Sequence, residues 1–240
     1  YNVLGWHSHF KPQVELIQQE NPDVVFLQEL NPLLAEKLES DLIDEYPYQV
    51  LSPTEGFRGM GVISKYPIVP SGRSLPLEWV GHPQVLWLEW EGQRVILINF
   101  HMNTTTLGTI RRVSKDNMYR EAQARALVEA TRWGGPVILA GDANTTSLSN
   151  AYHLIANELS DSWLEAGYGL GHTFPGSDIP GSARPSLAGF SIPQWLARID
   201  YIFHSDHWQA VQAYTVRFDG VSDHRGVVAV LVWRGDDRLE

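Results

Sequence analysis

Short apolar runs rich in Val, Ile, Leu and Phe recur along this chain, and several of them end on a carboxylate, an amide or an imidazole. Residues 24–27 lead to Gln28-Glu29, residues 95–100 to His101, and residues 137–140 to Gly141-Asp142. Residues 61–64, 199–203, 210–216 and 227–233 are of the same kind, and residues 85–90 pair with 95–100 as a hairpin around Glu91-Gly92. Runs this short, with apolar residues in succession, predict strands covered on both faces. Helical patterns lie between them. Residues 13–19 follow Pro12, a good first-turn residue. Residues 32–42 carry Leu33, Leu34, Leu38 and Leu42 at helical spacing, and residues 116–133 carry Met118, Ala122, Leu127 and Val128 as a buried stripe. Residues 149–156 form a shorter helix. The fold class is therefore α/β, and the simplest architecture packs two sheets face to face with helices outside.

Composition narrows the choices. A chain of 240 residues, 43% apolar and 19% charged, can bury a real core, and no repeat or interdomain linker divides it, so residues 1–240 read as one domain. The formal charge of −10, from 28 acidic against 18 basic residues, argues against strong non-specific binding to nucleic acid. It leaves room for a local basic groove, and for carboxylates neutralised by metal ions. Without cysteine there are no disulfides, thiolate metal sites or cysteine nucleophiles. No apolar run of about 18 residues is present to span a membrane. The opening Tyr1-Asn2-Val3-Leu4 is already strand-like, with no initiator Met or signal segment, so the amino-terminal end of the first strand is expected to be truncated. Residues 167–197 are rich in Gly, Pro and Ser, long for a loop in a compact domain, and carry Phe174, Phe190, Ile192, Trp195 and Leu196.

The polar residues at the strand ends carry the chemistry. A carboxylate projecting from a rigid strand end suits a hard cation, and Glu29 has that place, although alone it reads more simply as an exposed strand-end acid. The two-residue period of a strand puts Asn99 and His101 on one face. His101 suits proton donation or charge stabilisation, a hydrogen-bonded histidine at a sheet edge being an equal reading. Asp142 and Asn144 are the strongest single signal. Gly141 is expected to turn the chain tightly so that both point the same way. Asp142 can then orient or deprotonate a water, and Asn144 can donate to an oxygen as charge builds. A plain turn is the alternative, since Gly, Asp and Asn all favour turns. Asp200 interrupts an apolar run and needs a partner if buried. His224 is the natural one and Arg198 the alternative. Asp223, beside it, is a candidate metal ligand, unless Asp223-His224 is only a cap. Arg111-Arg112, expected in a loop after His101, are candidates for a basic cleft. Arg120 and Arg125 read better as a solvated helix face paired with Glu121 and Glu129.

In order, Asn2, Gln28-Glu29, His101, Gly141-Asp142-Ala143-Asn144, Arg198-Ile199-Asp200-Tyr201 and Ser222-Asp223-His224 resemble the endonuclease/exonuclease/phosphatase superfamily over nearly the whole chain. That family includes deoxyribonuclease I, apurinic endonucleases, neutral sphingomyelinases and inositol polyphosphate phosphatases. The resemblance implies a four-layered α/β sandwich around two mixed sheets, and Mg²⁺-dependent hydrolysis of a phosphate ester, with Mn²⁺ as a substitute. It makes Glu29 the principal metal ligand, with Asn2 and Asp223 in the metal-binding group. Asp142 would position or activate the water, and Asn144 would steady the phosphate. His224, oriented by Asp200, would contact the phosphoryl oxygens or shuttle a proton. His101 matches the branch that has His rather than Tyr here, but the Glu partner of that His in deoxyribonuclease I has no counterpart around Phe57-Arg58-Gly59.

The substrate is less legible. Residues 167–175 are similar to a bacterial subgroup in which this domain follows amino-terminal membrane helices and some members act on lipid-linked phosphates, which implies a membrane-anchored or extracytoplasmic domain. His172 and Phe174 are cleft candidates in that stretch, with His172 alternatively a turn cap. Phe190, Ile192, Trp195 and Leu196 would suit a lipid tail or would simply cover the core. Three expectations stand: a nuclease-type phosphodiesterase, a phosphatase on a lipid-linked or small-molecule phosphate, and a silent binding domain, which the intact motif set disfavours. The chain is expected to act as a monomer on a nucleic acid or a lipid or small phosphoester, with no protein partner evident.

Overall fold

The apolar runs build two sheets that share a buried layer between them. The computed structural model describes residues 1–104, 110–176, 186–187 and 189–235. In chain order, α1 (Lys11–Glu20) precedes β1 (Val24–Gln28), and α2 (Pro32–Asp41) precedes β2 (Tyr48–Ser52), β3 (Met60–Ser64) and β4 (Ile68–Pro70). The long hairpin β5 (Gly81–Trp90) and β6 (Gln93–His101) leads to α3 (Ile110–Thr131) and β7 (Val137–Asp142). Then come α4 (Asn150–Ala156), β8 (Ser160–Asp161), α5 (Ser162–Ala166) and a small hairpin of β9 (Ser186–Leu187) and β10 (Phe190–Ser191). The last strands are β11 (Asp200–His204), β12 (Trp208–Thr215) and β13 (Val227–Trp233).

One sheet has six strands in the order β4-β5-β6-β7-β11-β8. It is mixed, because β6 and β7 run parallel while their outer neighbours are antiparallel. The other side holds the antiparallel set β2-β3-β1 and the separate hairpin β12-β13. The apolar succession in β6 has a direct cause. Ile96, Ile98 and Phe100 face a core shared with α3 and α4, while Val95 and Leu97 face Val62, Leu86 and Trp208 between the sheets. A third cluster seats α1 and α2 on β1 through Ile17, Leu27, Leu34 and Leu38. Asn31 caps α2 by accepting from the Leu34 N–H at 2.8 Å, ahead of a proline in the first turn.

One polar network is buried between the sheets. The Asn99 side chain accepts from Gln28 Nε2 at 2.7 Å and donates to the carbonyls of Leu27 and Gly61 and to Gln84 Oε1. That network ties β1, β3, β5 and β6 together directly beneath the Gln28-Glu29 strand end.

Sequence periodicity misjudges α3. The helix starts at Ile110, so Arg111 and Arg112 lie in its first turn rather than in a loop, and their side chains are outside the described residues. Its buried face is Ala124, Leu127 and Ala130 with Gln123 and Arg120, whereas Met118 is 67% exposed. Arg120 is not a solvated residue. It is 2% exposed and donates to the Asn103 carbonyl at 3.1 Å, where the Asn103 N–H also donates to Gln123. Arg125 does pair with Glu121 on the surface. The half-exposed β2 and the three-residue β4 carry too little apolar signal to be read from sequence. Among the described residues, no helix is long and apolar enough to cross a membrane.

Candidate active site

Three chemical residues form one row across three adjacent strands. His101 at the end of β6 lies opposite Asp142 of β7, which lies opposite Asp200 of β11. All three are buried. The row is tight because Gly141 approaches the neighbouring strand: a Cβ there would stand 1.9 Å from the Phe100 carbonyl oxygen. Gly141 is thus a strand residue, not the expected turn. The turn comes later, at Asn144, whose φ of 49° is left-handed.

Asp142 sits at the centre. Its Oδ1 accepts from the Asn144 backbone N–H at 2.8 Å, which closes the turn, and Asn144 Nδ2 donates to the Met102 carbonyl at 3.0 Å. Asp142 therefore both shapes the turn and keeps Oδ2 for the site. Oδ2 accepts from Asn2 Nδ2 at 3.2 Å and lies 3.5 Å from His101 Nε2 and 3.8 Å from His224 Nε2. Neither ring nitrogen of His101 has a hydrogen-bond partner, and Asp200 Oδ1 is a second kind of orphan in the same cluster. Such buried unpaired atoms are uncommon and mark a place built to receive something polar.

His224 reaches the row from the 222–224 loop. Its Nδ1 pairs with Asp200 Oδ2 at 2.8 Å, leaving Nε2 for the cleft. Arg198 goes elsewhere, donating to Asp161 at 2.7 Å. The loop is held from below: the Ser222 hydroxyl donates to the Asn2 carbonyl at 2.7 Å and accepts from the His224 N–H at 3.0 Å, while Asp219 accepts from the Val221 and Ser222 N–H groups and from the Tyr1 hydroxyl. Buried Thr173 accepts from the Ile199 and Asp200 N–H groups, and its carbonyl accepts from Arg225 N–H. Phe174 packs on the His224 ring at 4.9 Å. His172 uses Nδ1 on the Trp195 carbonyl at 2.6 Å, so that nitrogen stitches the loop rather than facing substrate.

Glu29 comes from the other sheet. It lies one residue beyond β1 in a left-handed conformation, φ 61°. Gly5 makes that seat possible, since a Cβ there would stand 2.6 Å from the Glu29 carbonyl oxygen and 2.1 Å from that of Gly56. Asn2 joins the two halves: its Nδ2 donates to Glu29 Oε1 at 3.0 Å as well as to Asp142, and its Oδ1 accepts from the Leu4 N–H. As placed, Asn2 presents nitrogen to both carboxylates, so it positions them. Direct ligation by Asn2 would require its amide to turn over.

The charges show what the cluster is suited to hold. Burial raises the Glu29 carboxyl pKa, Asn2 and His224 opposing it and Asp223 adding to it. Burial and then the Asp200 charge raise Asp142. For His224, burial acts downward, but Asp200 and Asp142 override it and hold the ring at about 10. For Asp200, burial acts upward, but the charge and hydrogen bond of His224, with the Thr173 hydrogen bond, together lower it. His101 is lowered to about 3 by burial and then by the His224 charge, so it is neutral at ordinary pH. Several clustered carboxylates thus face one imidazolium, and the donor set fits a divalent cation. Ligand atoms of Asp142, Asp200 and His224 all lie within 4.8 Å of one another. Asp200 and His224 are already bonded to each other, however. The oxygen-rich corner formed by Glu29, with Asp223 close enough to act on its charge, is the better place for a hard ion.

Sequence reading passed over Arg225 and gave Thr173 and Ser222 no task of their own, although both stand in stretches it singled out. Both are hydrogen-bonding supports. Arg225 stacks its guanidinium 3.9 Å from the Trp195 ring centre, right after His224.

A family model described as Endonuclease/Exonuclease/phosphatase family matches residues 1–224. Among curated proteins none matches the sequence. Of solved structures, the endonuclease/exonuclease/phosphatase from Beutenbergia cavernae DSM 12333 superposes with TM-score 0.66 at 23% identity, covering 92% of this chain, which spans 66% of that protein. D. rerio TDP2 complexed with single strand DNA product gives TM-score 0.71 at 19% identity over 96% of both chains. The beta toxin from Staphylococcus aureus gives 0.68 at 19% identity, over 96% of this chain and 97% of that one. These structural likenesses establish a shared fold.

Proposed function

The chain belongs to the Endonuclease/Exonuclease/phosphatase family, and on that premise we propose that this phosphoesterase is a Mg²⁺-dependent phosphodiesterase of the nuclease type. The observation that carries the reading is the shared Oδ2 of Asp142, around which Asn2, His101 and His224 converge from three separate parts of the chain.

Glu29 and Asp223 would hold the cation, with Asn2 beside them and Mn²⁺ as an alternative ion. When bound, the ion supplies Lewis-acid polarisation of a phosphoryl oxygen. The chain's own groups do the rest. Asp142 accepts a proton from the attacking water, and its raised pKa makes it a better base. Asn144 gives one amide hydrogen to Met102 and offers the other to a phosphoryl oxygen. His224, held by Asp200 and charged, donates from Nε2 to the developing charge or to the departing oxygen. His101, neutral and without a carboxylate pair of its own at hydrogen-bonding distance, orients rather than protonates. The chain works as a monomer, with TDP2's DNA complex as the analogy for a nucleic-acid substrate.

A second reading, a phosphatase on a lipid-linked phosphate at a membrane, is favoured by one feature. The loop that places Phe174 on His224 also exposes Leu196 by 51%, with Phe190 80% exposed nearby in sequence. The test is an Mg²⁺-dependent panel of single-stranded DNA, an abasic duplex, bis-p-nitrophenyl phosphate and a polyprenyl pyrophosphate. Cleavage of the diesters supports the first reading, cleavage of the pyrophosphate alone the second. Activity on none of them with Mg²⁺ or Mn²⁺ refutes both.

A further inference from the structure

Two large aromatic side chains stand exposed beside Glu29, on segments that the proposed reaction does not use. Trp6 is 62% exposed and Phe57 42%, and their ring centres lie 6.0 Å apart with the planes tilted by 47°. Single exposed apolar residues are ordinary on a protein surface, but these two come from separate segments and meet. The chain bends sharply to present them. Buried Leu4 is left-handed at φ 55°, a conformation that leucine adopts at a cost, and the Trp6 N–H closes a tight turn on the Leu4 carbonyl at 2.9 Å. That turn sends the indole outward while Leu4 stays inside.

Two glycines fit the pair against the site. Gly5 packs on Glu29 and on Gly56, a Cβ there standing 2.6 Å and 2.1 Å from their respective carbonyl oxygens. A Cβ on Gly56 would lie 3.2 to 3.8 Å from three atoms of the six-membered ring of Trp6, so the indole rests on bare Gly56 backbone. Trp6 is thus one chain step, about 3.8 Å, from a residue in contact with the Glu29 backbone. The far end of the same segment reaches the acid–base row. A Cβ on Gly81 would stand 3.3 Å from the Arg58 carbonyl oxygen, and Gly81 is the partner of His101 across the β5–β6 hairpin. Phe57 therefore lies on a strip that runs from the Glu29 corner to the His101 strand end.

We propose that Trp6 and Phe57 form a shelf on which one unpaired nucleobase stacks, next to the phosphate that the site cleaves. This rests on the phosphodiesterase reading and narrows its substrate to nucleic acid with unpaired bases. A chain of net charge −10 gains little from neutralising phosphates, so much of its grip on a polyanion has to come from contacts other than charge. Stacking supplies such a contact: every base has a π-face, so it tolerates any sequence. A duplex offers no such face, because its bases are paired and stacked on one another. The occupant is a flat ring rather than a fatty chain because the seat is itself flat, an indole backed by glycine and flanked by a phenyl ring.

The test measures binding by fluorescence anisotropy in EDTA, without turnover. The probes are an oligothymidylate of about ten nucleotides, an abasic strand of the same length and charge, and the oligothymidylate paired to oligoadenylate. The wild-type chain should hold the single-stranded oligothymidylate about tenfold tighter than either control. Trp6→Ala should abolish that preference and Trp6→Phe keep most of it, with thermal midpoints unchanged because the side chain is exposed. The preference should persist as salt rises, since stacking releases no counterions. Equal binding of the base-bearing and abasic strands, binding of neither, or a preference that survives in Trp6→Ala overturns the proposal. So does Trp6-dependent binding to phosphatidylcholine–phosphatidylglycerol vesicles with no preference for bases, which would make the shelf a lipid contact. Failure to cleave any substrate of the Mg²⁺ panel refutes the reaction, whereas the binding arms read the shelf without it.

Discussion

The six-stranded sheet and the β1 side deliver their site residues by different means. On the first, His101, Asp142 and Asp200 stand opposite one another on adjacent strands, so sheet register alone aligns them. On the second, Glu29 is placed by one left-handed residue, a glycine that lets two chain segments touch, and a single bridging amide from Asn2. The acid–base half is rigid because many ladder bonds would have to slip together to disturb it. The cation half rests on a few local contacts and answers to small changes.

The largest effect should come from the rigid half. Asp142→Ala or His224→Ala is expected to lower turnover by roughly 10³-fold or more while the fold survives, measured by kcat and thermal melting. Near-wild-type turnover in both would remove the assignment. Next, Gly5→Ala should disturb only the cation half. Its Cβ forces Glu29 to move, so Mg²⁺ affinity should fall about tenfold or more in a titration. Unchanged affinity would mean that Glu29 is not seated as described.

The two histidines should then separate by pH in metal-free protein. His224 is raised to about 10 when folded, so its stabilisation is complete below its unfolded value near 6.5 and is lost as pH rises through about 10. His101 is lowered to about 3, so it costs stability as pH falls from about 6.5 toward 3, where only the unfolded chain binds the proton. Melting curves across pH should show His224→Gln flattening the alkaline limb and His101→Gln the acid limb. The opposite pairing would reverse the charge states. The smallest contrast lies on α3. Arg120→Ala should cost about 1–3 kcal/mol by freeing the Asn103 carbonyl that anchors the chain beyond β6, while Arg125→Ala costs less than about 0.5 kcal/mol. Equal costs in denaturant titrations would show that the helix does not brace the His101 end.

Much of this was legible beforehand. Strand cores at residues 24–27, 95–100 and 137–140 appear where expected, and the Asp200–His224 pair was expected from a carboxylate in an apolar run. What was misread shares one cause. Arg120 was placed on a solvated face, and Thr173 and Ser222 were given no task, because the value of each depends on which backbone carbonyl or amide lies beside it, and no local pattern reports that.

The sequence by itself determined which residues end the strands and in what order they occur, because apolar runs, helical spacing and capping residues act over a few positions. Only the tertiary structure decided that Asn2 and Ser222, 220 residues apart, lie in contact, that one oxygen of Asp142 faces two histidines, and that Arg120 points inward. Those outcomes follow from strand register and helix rotation, which are set by how whole faces pack and not by any neighbourhood along the chain.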